Sequence, residues 1–263
     1  MKAICIIPSR MASSRFPNKP LKKICSIPMI VHCYLRAVSA KSFVGVYVAT
    51  CDQSIASCVT DFGGNIIMTS YKHTRATTRT AEAMMEIEKK VGLVDIVVMV
   101  QGDEPLVNPN LLDALIKIFK DESVNIVNVM TRFRGVEDYA DRNNIKVVVD
   151  KESDALYFSR QPIPFGQKQF EVNKAFMQTG VIAFRRDTLI NFNKIPESFL
   201  EVSESIDMNR VLEHKGKVRM YLTTDILIGV DVDADIAKVE ELMKIDDLYL
   251  DYSAKLPRGT DVL

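Results

Sequence analysis

Residues 96–100 (Ile-Val-Val-Met-Val) are consecutive, apolar and mostly β-branched. A run this short and this apolar is a strand covered on both faces, and such strands belong to parallel sheets flanked by helices. At its carboxyl end the chain turns polar at once, through Gln101, Gly102, Asp103 and Glu104, until Pro105 stops the ladder. Ligands of open α/β sheets sit in the crevice beyond the carboxyl ends of the strands. Two adjacent carboxylates there suit a hard divalent cation held over a phosphate, and they equally suit a solvated strand-to-loop junction.

The sequence on either side alternates as such a sheet requires. Strands are expected at 3–8, 44–49 and 65–68, with helices at 29–40, begun by Pro28, and at 54–62, ended by Gly63-Gly64. A helix at 80–91 leads into the central strand, and this order is that of a doubly wound nucleotide-binding half. Beyond it come a helix at 109–119, a strand at 124–131, and a hairpin of 145–149 and 155–158 that leaves the main sheet. A strand at 176–184, helices at 185–192 and 200–213, strands at 218–222 and 226–230 and a helix at 236–243 complete the pattern. Residues 1–243 read as one domain, with the β insertion at about 132–185, and residues 244–263 as a tail of unknown role.

Composition removes several classes of partner. Lys plus Arg number 34 and Asp plus Glu number 34, so no global field recruits nucleic acid or an anionic membrane. No window reaches the roughly 18 uninterrupted apolar residues of a membrane span. The short apolar start reads as a strand and not as a signal peptide. The 5 cysteines are odd in number and lack metal-type spacing, which suits reduced core residues of a cytoplasmic protein. The 3 histidines are scattered, which argues against a zinc site.

An anionic ligand must therefore meet local cations. The loop at 9–20 carries Arg10, Arg15 and Lys19 among small hydroxyls such as Ser14, with Pro17 and Pro20 holding it stiff. It can clamp a triphosphate, or it is a basic surface loop. Arg79 stands at the expected start of the 80–91 helix, a possible anion site, with Thr78 as cap and Glu82 near the reciprocal position. Glu201, Glu204 and Asp207, spaced by three, read as one acidic solvated face. Asp231 ends a strand; with Asp233 or its neighbour capping the last helix, it is the carboxylate left for chemistry.

With these residues in view, the chain resembles the CMP-Kdo synthetases (3-deoxy-manno-octulosonate cytidylyltransferases). The resemblance rests on IIPSRMASSRFPNKPL (6–21), IPMIVH (27–32), VQGDEPL (100–106), NIKVVVD (144–150), ALYFSRQPIP (155–164) and GVDVDAD (229–235), in the family's order and spacing. It implies a nucleotide-diphospho-sugar transferase fold, a homodimer formed through the β insertion, and dependence on Mg2+. Arg10, Ser14, Arg15 and Lys19 match the CTP-binding loop, and Gln101 lies at the cytidine side. Asp103 and Asp231 match the two metal-binding aspartates, which with Lys19 form the catalytic set. Arg160 matches an arginine near the sugar.

The sugar end departs from the pattern. A Ser-Gly-Thr-Asp-Arg run is replaced by Arg75-Ala76-Thr77-Thr78-Arg79, and a His-Ile-Gly-Ile-Tyr run by Gln178 to Ile182. A Leu-Glu-Gln-Leu-Arg run is replaced by Ile206-Asp207-Met208-Asn209-Arg210. Gln178, Ile182, Asp207 and Met208 thus occupy the sugar-contacting positions. The resemblance implies transfer of CMP from CTP to the anomeric hydroxyl of an acid sugar in lipopolysaccharide synthesis. Because the family includes members that activate 8-amino-3,8-dideoxy-octulosonate, the lost hydroxyl partners and retained carboxylate favour that amino sugar over Kdo. A CMP-nonulosonate synthetase and a non-catalytic sugar-nucleotide-binding protein remain alternatives.

Overall fold

In the computed structural model, which describes residues 1–12, 16–166 and 171–256, the apolar run at 96–100 is the middle strand of the sheet. The first half of the chain reads β1 (Ala3–Pro8), the short pair β2 (Lys23–Ile24) and β3 (Ile27–Pro28), α1 (Met29–Val38), β4 (Phe43–Thr50), α2 (Gln53–Asp61), β5 (Ile66–Met68), α3 (Ala76–Val91), β6 (Ile96–Val100) and α4 (Pro109–Ile118). The second reads β7 (Ile126–Arg132), α5 (Val136–Ala140), β8 (Lys146–Val149), β9 (Ala155–Ser159), β10 (Phe176–Arg185), α6 (Arg186–Phe192), α7 (Phe199–Glu204), α8 (Met208–Glu213), β11 (Arg219–Leu222), α9 (Asp233–Met243) and α10 (Asp247–Lys255). The strand order is β11-β7-β10-β6-β1-β4-β5. β10 runs antiparallel to both its neighbours, and every other pairing in that row is parallel.

The pleat explains why the central strands have no polar positions. Ile96, Val98 and Val100 pack into a core shared with α1, α2 and α4, while Val97 and Met99 pack into a second core shared with α3 and α8. β1 divides the same way, with Ala3, Cys5 and Ile7 on the first face and Ile4 and Ile6 on the second. α2 ends where Gly63 adopts φ 73°, as the glycine pair predicts.

Two expectations are corrected. The hairpin β8–β9 does not leave the sheet: Val147 and Lys146 pair with Phe176 and Met177 at the start of β10. Residues 226–230 form no strand, because among the described residues their one inter-segment backbone bond is Val230 N to Asp103 O, 3.0 Å, and a single bond makes no ladder. Within the tail, residues Asp247–Lys255 form α10, which packs on α1 with Tyr252 buried. No helix among the described residues is long and apolar enough to cross a membrane.

The docking of α10 rests on polar contacts that its sequence alone does not advertise. Asp246 caps the helix by accepting from Tyr249 N at 2.7 Å and receives both terminal nitrogens of buried Arg36 at 3.0 Å. His32, fully buried on α1, has Nε2 2.8 Å from the Ile24 carbonyl and Nδ1 2.6 Å from the Tyr252 hydroxyl. A carbonyl can only accept, so Nε2 carries the proton and Tyr252 donates to Nδ1. Burial lowers the His32 pKa to about 4, below the 6.5 of an exposed histidine. Between those values the unfolded chain binds a proton that the folded chain refuses. Stability is therefore complete above pH 6.5 and falls as pH drops toward 4, by about 3 kcal/mol. Urea unfolding from pH 7.5 to 4.5 is expected to show that slope in the wild type and to lose it in His32→Gln; parallel slopes would refute the assignment.

Candidate active site

Three segments far apart in sequence meet at the carboxyl ends of β1 and β6. Beyond β1, Asn18 takes a left-handed conformation (φ 58°) and starts a single 3-10 turn, Lys19–Leu21, that brings the Lys19 side chain back over the sheet edge. Beyond β6 the chain folds into a tight turn closed by Glu104 N to Gln101 O, 3.1 Å. Gly102 lets this turn press against the β1 loop: a Cβ there would lie 3.0 Å from Ile30 Cδ1 and 3.2 Å from Ser9 Oγ. The third segment is 226–231, tied to Asp103 through Val230, whose side chain is buried with Phe16, Ile24, Met29 and Leu106.

Lys19, Asp103 and Asp231 converge as a result. Lys19 Nζ lies 2.7 Å from Asp103 Oδ2 and 2.9 Å from Asp231 Oδ1. Burial alone would lower the Lys19 pKa, but the two carboxylates outweigh it and hold the group above its ordinary value. Lys19 is thus an ammonium and not a base. Two carboxylates aimed at one cationic atom are hard oxygen donors of the kind Mg2+ takes alongside substrate phosphates. Among the described residues there is no cluster of three or more His, Cys, Asp or Glu side chains placed to hold a metal ion.

Glu104 next to this centre is a structural carboxyl. Its Oε1 accepts from Gly180 N at 2.7 Å, while Oε2 is buried without a hydrogen-bond partner among the described residues. Burial first, and then the charge of Asp103, push its pKa up to about 8. It pins β10 against the turn, beside the bond from Gln101 N to Gly180 O at 2.9 Å.

The cleft has two lobes that share Thr74, Ala76, Gln101 and Asp103. The smaller, about 340 Å³, also carries Arg10 and Lys19. The larger, about 410 Å³, carries Asp231, Arg160, Gln178, Ile182, Asp207 and Met208. Every described site residue expected from the sequence therefore lines one lobe or the other, except Arg79. Ser14 and Arg15 lie outside the described residues.

Arg79 is a correction. It is buried on α3, which begins at Ala76 and not at residue 80, and its guanidinium donates to Thr69 Oγ1 at 2.5 Å and to the His73 carbonyl at 3.3 Å. It holds the 69–74 loop from inside and lines neither lobe. Thr78 does not cap the helix but donates to the Arg75 carbonyl, and Glu82 instead accepts from Ser70 N at 3.1 Å and pairs with His73.

The expected helix at 200–213 is broken in two, and its acidic face is not solvated. Ser205 adopts φ 55°, ending α7 and turning the chain so that Asp207 and Met208 face the larger lobe. Glu201 is fully buried against the Arg210 guanidinium. Glu204 accepts from Ser159 Oγ at 2.7 Å, Tyr157 OH at 3.0 Å and Arg160 N at 2.8 Å, which staples α7 to β9. Arg160 Nε donates in turn to the Glu204 carbonyl at 2.7 Å. Asp207 accepts from Thr77 Oγ1 at 2.6 Å and stands 3.4 Å from Arg75 Nη1; burial raises its pKa against both partners. Arg75, Thr77 and Glu204 were not legible as site residues because their partners lie 44 to 130 positions away.

A nucleotide-sized cleft at the switch point of a mostly parallel sheet, with a lysine between paired aspartates, defines a CTP-dependent nucleotidyltransferase once the relatives are considered. The family model described as cytidylyltransferase matches residues 4–221, and the chain belongs to that family. It is 39% identical over 252 residues to the 3-deoxy-manno-octulosonate cytidylyltransferase of Geobacter metallireducens, covering 92% of this chain and 97% of that protein. It is 36% identical to the 3-deoxy-manno-octulosonate cytidylyltransferase of Escherichia coli, covering 92% and 96%. Its fold matches the structure of a CMP:2-keto-3-deoxy-manno-octonic acid synthetase complexed with CTP, with a TM-score of 0.83, 35% identity and coverage of 93% and 99%.

Proposed function

We propose that this cytidylyltransferase joins the CMP part of CTP to the anomeric hydroxyl of a 3-deoxy-octulosonate-type acid sugar, releasing pyrophosphate and supplying lipopolysaccharide synthesis. The observation that carries the reading is the convergence of Asp103 and Asp231 on one cation at the boundary of the two lobes. The smaller lobe takes the triphosphate, with Arg10 and Lys19 neutralising it, and Gln101 faces the cytidine side. Ser14 and Arg15 belong to the same loop. The larger lobe takes the sugar, with the planar fork of Arg160 suited to its carboxylate.

The anomeric hydroxyl gives up its proton to solvent and its oxygen bonds to the α-phosphorus as the bond to pyrophosphate breaks. Catalysis of this kind is chiefly positioning and charge neutralisation. Lys19, kept protonated by its two aspartates, follows the charge that grows on the departing pyrophosphate. Asp103 and Asp231 would hold Mg2+. When bound, the ion neutralises phosphate charge and makes the attacking hydroxyl more acidic. Asp103→Asn and Asp231→Asn are each expected to cut pyrophosphate release by about 10³-fold or more without loss of fold, and the double variant to be little worse than either single one. Near-wild-type turnover of either single variant at saturating Mg2+ would remove the assignment.

The reaction takes place in the cytoplasm on this reading, which the free thiols of all five cysteines support. The working form is a homodimer that uses the β8–β9 insertion. Support comes from exposed Leu156 on β9, Phe165 after it and Phe199 and Val202 on the adjoining α7, large apolar groups in one region of the chain. Sedimentation at micromolar concentration is expected to give a dimer that Leu156→Glu with Val202→Glu disperses; a wild-type monomer would end the idea.

Within the acid sugars, the lobe favours an 8-amino-3,8-dideoxy-octulosonate over Kdo. Ile182 and Met208 offer no hydrogen bond, whereas Asp207 is a desolvated carboxylate on the same wall. An ammonium group is the partner that relieves a desolvated carboxylate best. kcat/KM for the amino sugar is expected to exceed that for Kdo by about tenfold or more, and Asp207→Asn to narrow the gap. Equal use of both sugars by the wild type, or an unchanged ratio in the variant, would count against it.

A further inference from the structure

One side chain in the larger lobe has its orientation decided by its surroundings. β10 carries a bulge opposite β7: Gln178 pairs with Met130 and Ile182 with Asn128, so residues 179–181 stand against Val129 alone. Asn128, fully buried, fills the gap. Its Nδ2 donates to the carbonyls of Val181 at 2.9 Å and Thr179 at 3.2 Å. Carbonyl oxygens only accept, so this edge of the amide must be its NH2 edge. Oδ1 therefore faces the other way, toward Gln178, and an acceptor is satisfied only by a donor. Gln178 Nε2 meets it at 2.5 Å. The atom left over on Gln178 is Oε1, buried and without a hydrogen-bond partner among the described residues.

We propose that Asn128 is a positioning residue that locks the Gln178 amide so that it offers the sugar an acceptor, making the enzyme select acid sugars that carry a hydrogen-bond donor at one position. The donor is a hydroxyl or an ammonium group. This rests on the acid-sugar reading of the larger lobe and deepens it. An unrestrained glutamine turns over and serves a donor or an acceptor alike; the lock removes that tolerance. A buried acceptor left unmet costs about 10- to 100-fold in binding, so a sugar lacking the donor is refused by that factor.

The experiment compares kcat/KM for a parent acid sugar and a series of its mono-deoxy analogues, with CTP saturating, in the wild type, Gln178→Met and Asn128→Ala. In the wild type one analogue is expected to fall by about tenfold or more through loss of the Gln178 contact. Gln178→Met should raise KM for the parent sugar, leave KM for CTP alone and erase the penalty for that one analogue. Asn128→Ala should shrink the same penalty although Gln178 is intact. Penalties unchanged across the series in Gln178→Met overturn the proposal. Neutron diffraction from deuterated wild-type crystals reads the lock without any variant: Nε2 toward Asn128 supports it and Oε1 toward Asn128 overturns it. Wild-type protein that turns over none of the acid sugars overturns the acid-sugar reading itself, whereas turnover with unchanged selectivity overturns the lock alone.

Discussion

Two carboxylates held within reach of one atom repel each other, and much of this fold serves to keep them there. Asp103 and Asp231 come from opposite halves of the chain, and neither sits inside regular structure. Their separation is set by one backbone bond, Val230 N to Asp103 O, and by the apolar packing of Val230 beneath. The ammonium of Lys19 offsets the repulsion and is itself delivered by a turn that needs a left-handed residue at Asn18. Burial weakens the lysine's charge and the aspartates restore it, so each of the three depends on the other two.

The central strand and the carboxylate pair beyond it were legible because both are local patterns. A run of β-branched residues closed by a polar turn and a proline has few other uses, and β6 lies where that pattern puts it. What the sequence hides is anything settled by a distant partner. The spacing of Glu201, Glu204 and Asp207 is that of a solvated stripe, yet Arg210 buries the first, β9 engages the second and Thr77 holds the third. Ser205 breaks the helix with a left-handed turn that no glycine or proline announces. Arg79 has the charge and place of an anion ligand, and the neighbouring loop, rich in hydroxyls and carbonyls, captures it instead.

The C-terminal helix shows the same limit from the other direction. Its apolar pattern is weak, so periodicity gave it no weight. It is docked by Asp246 on Arg36 and Tyr252 on His32, contacts that span 210 and 220 positions of the chain. Such partners cannot be paired by reading along the sequence. They also join α10 to α1, the first α-helix after the basic loop, from which β2 and β3 separate it.

The two lobes of the cleft are built by different means. Residues around Lys19, Asp103 and Asp231 depend on loops from three segments, each braced by the others, and a change in one displaces the rest. The opposite wall is made largely of side chains set on the strand β10 and on the elbow at Ser205; Asn128 and Glu104 tie down the β10 backbone, and Arg160 holds the Glu204 carbonyl at the elbow. Such a wall tolerates exchange of what it displays without any rearrangement of what carries it. Exchanges on that wall are therefore expected to act one at a time, whereas exchanges around Lys19 answer to one another.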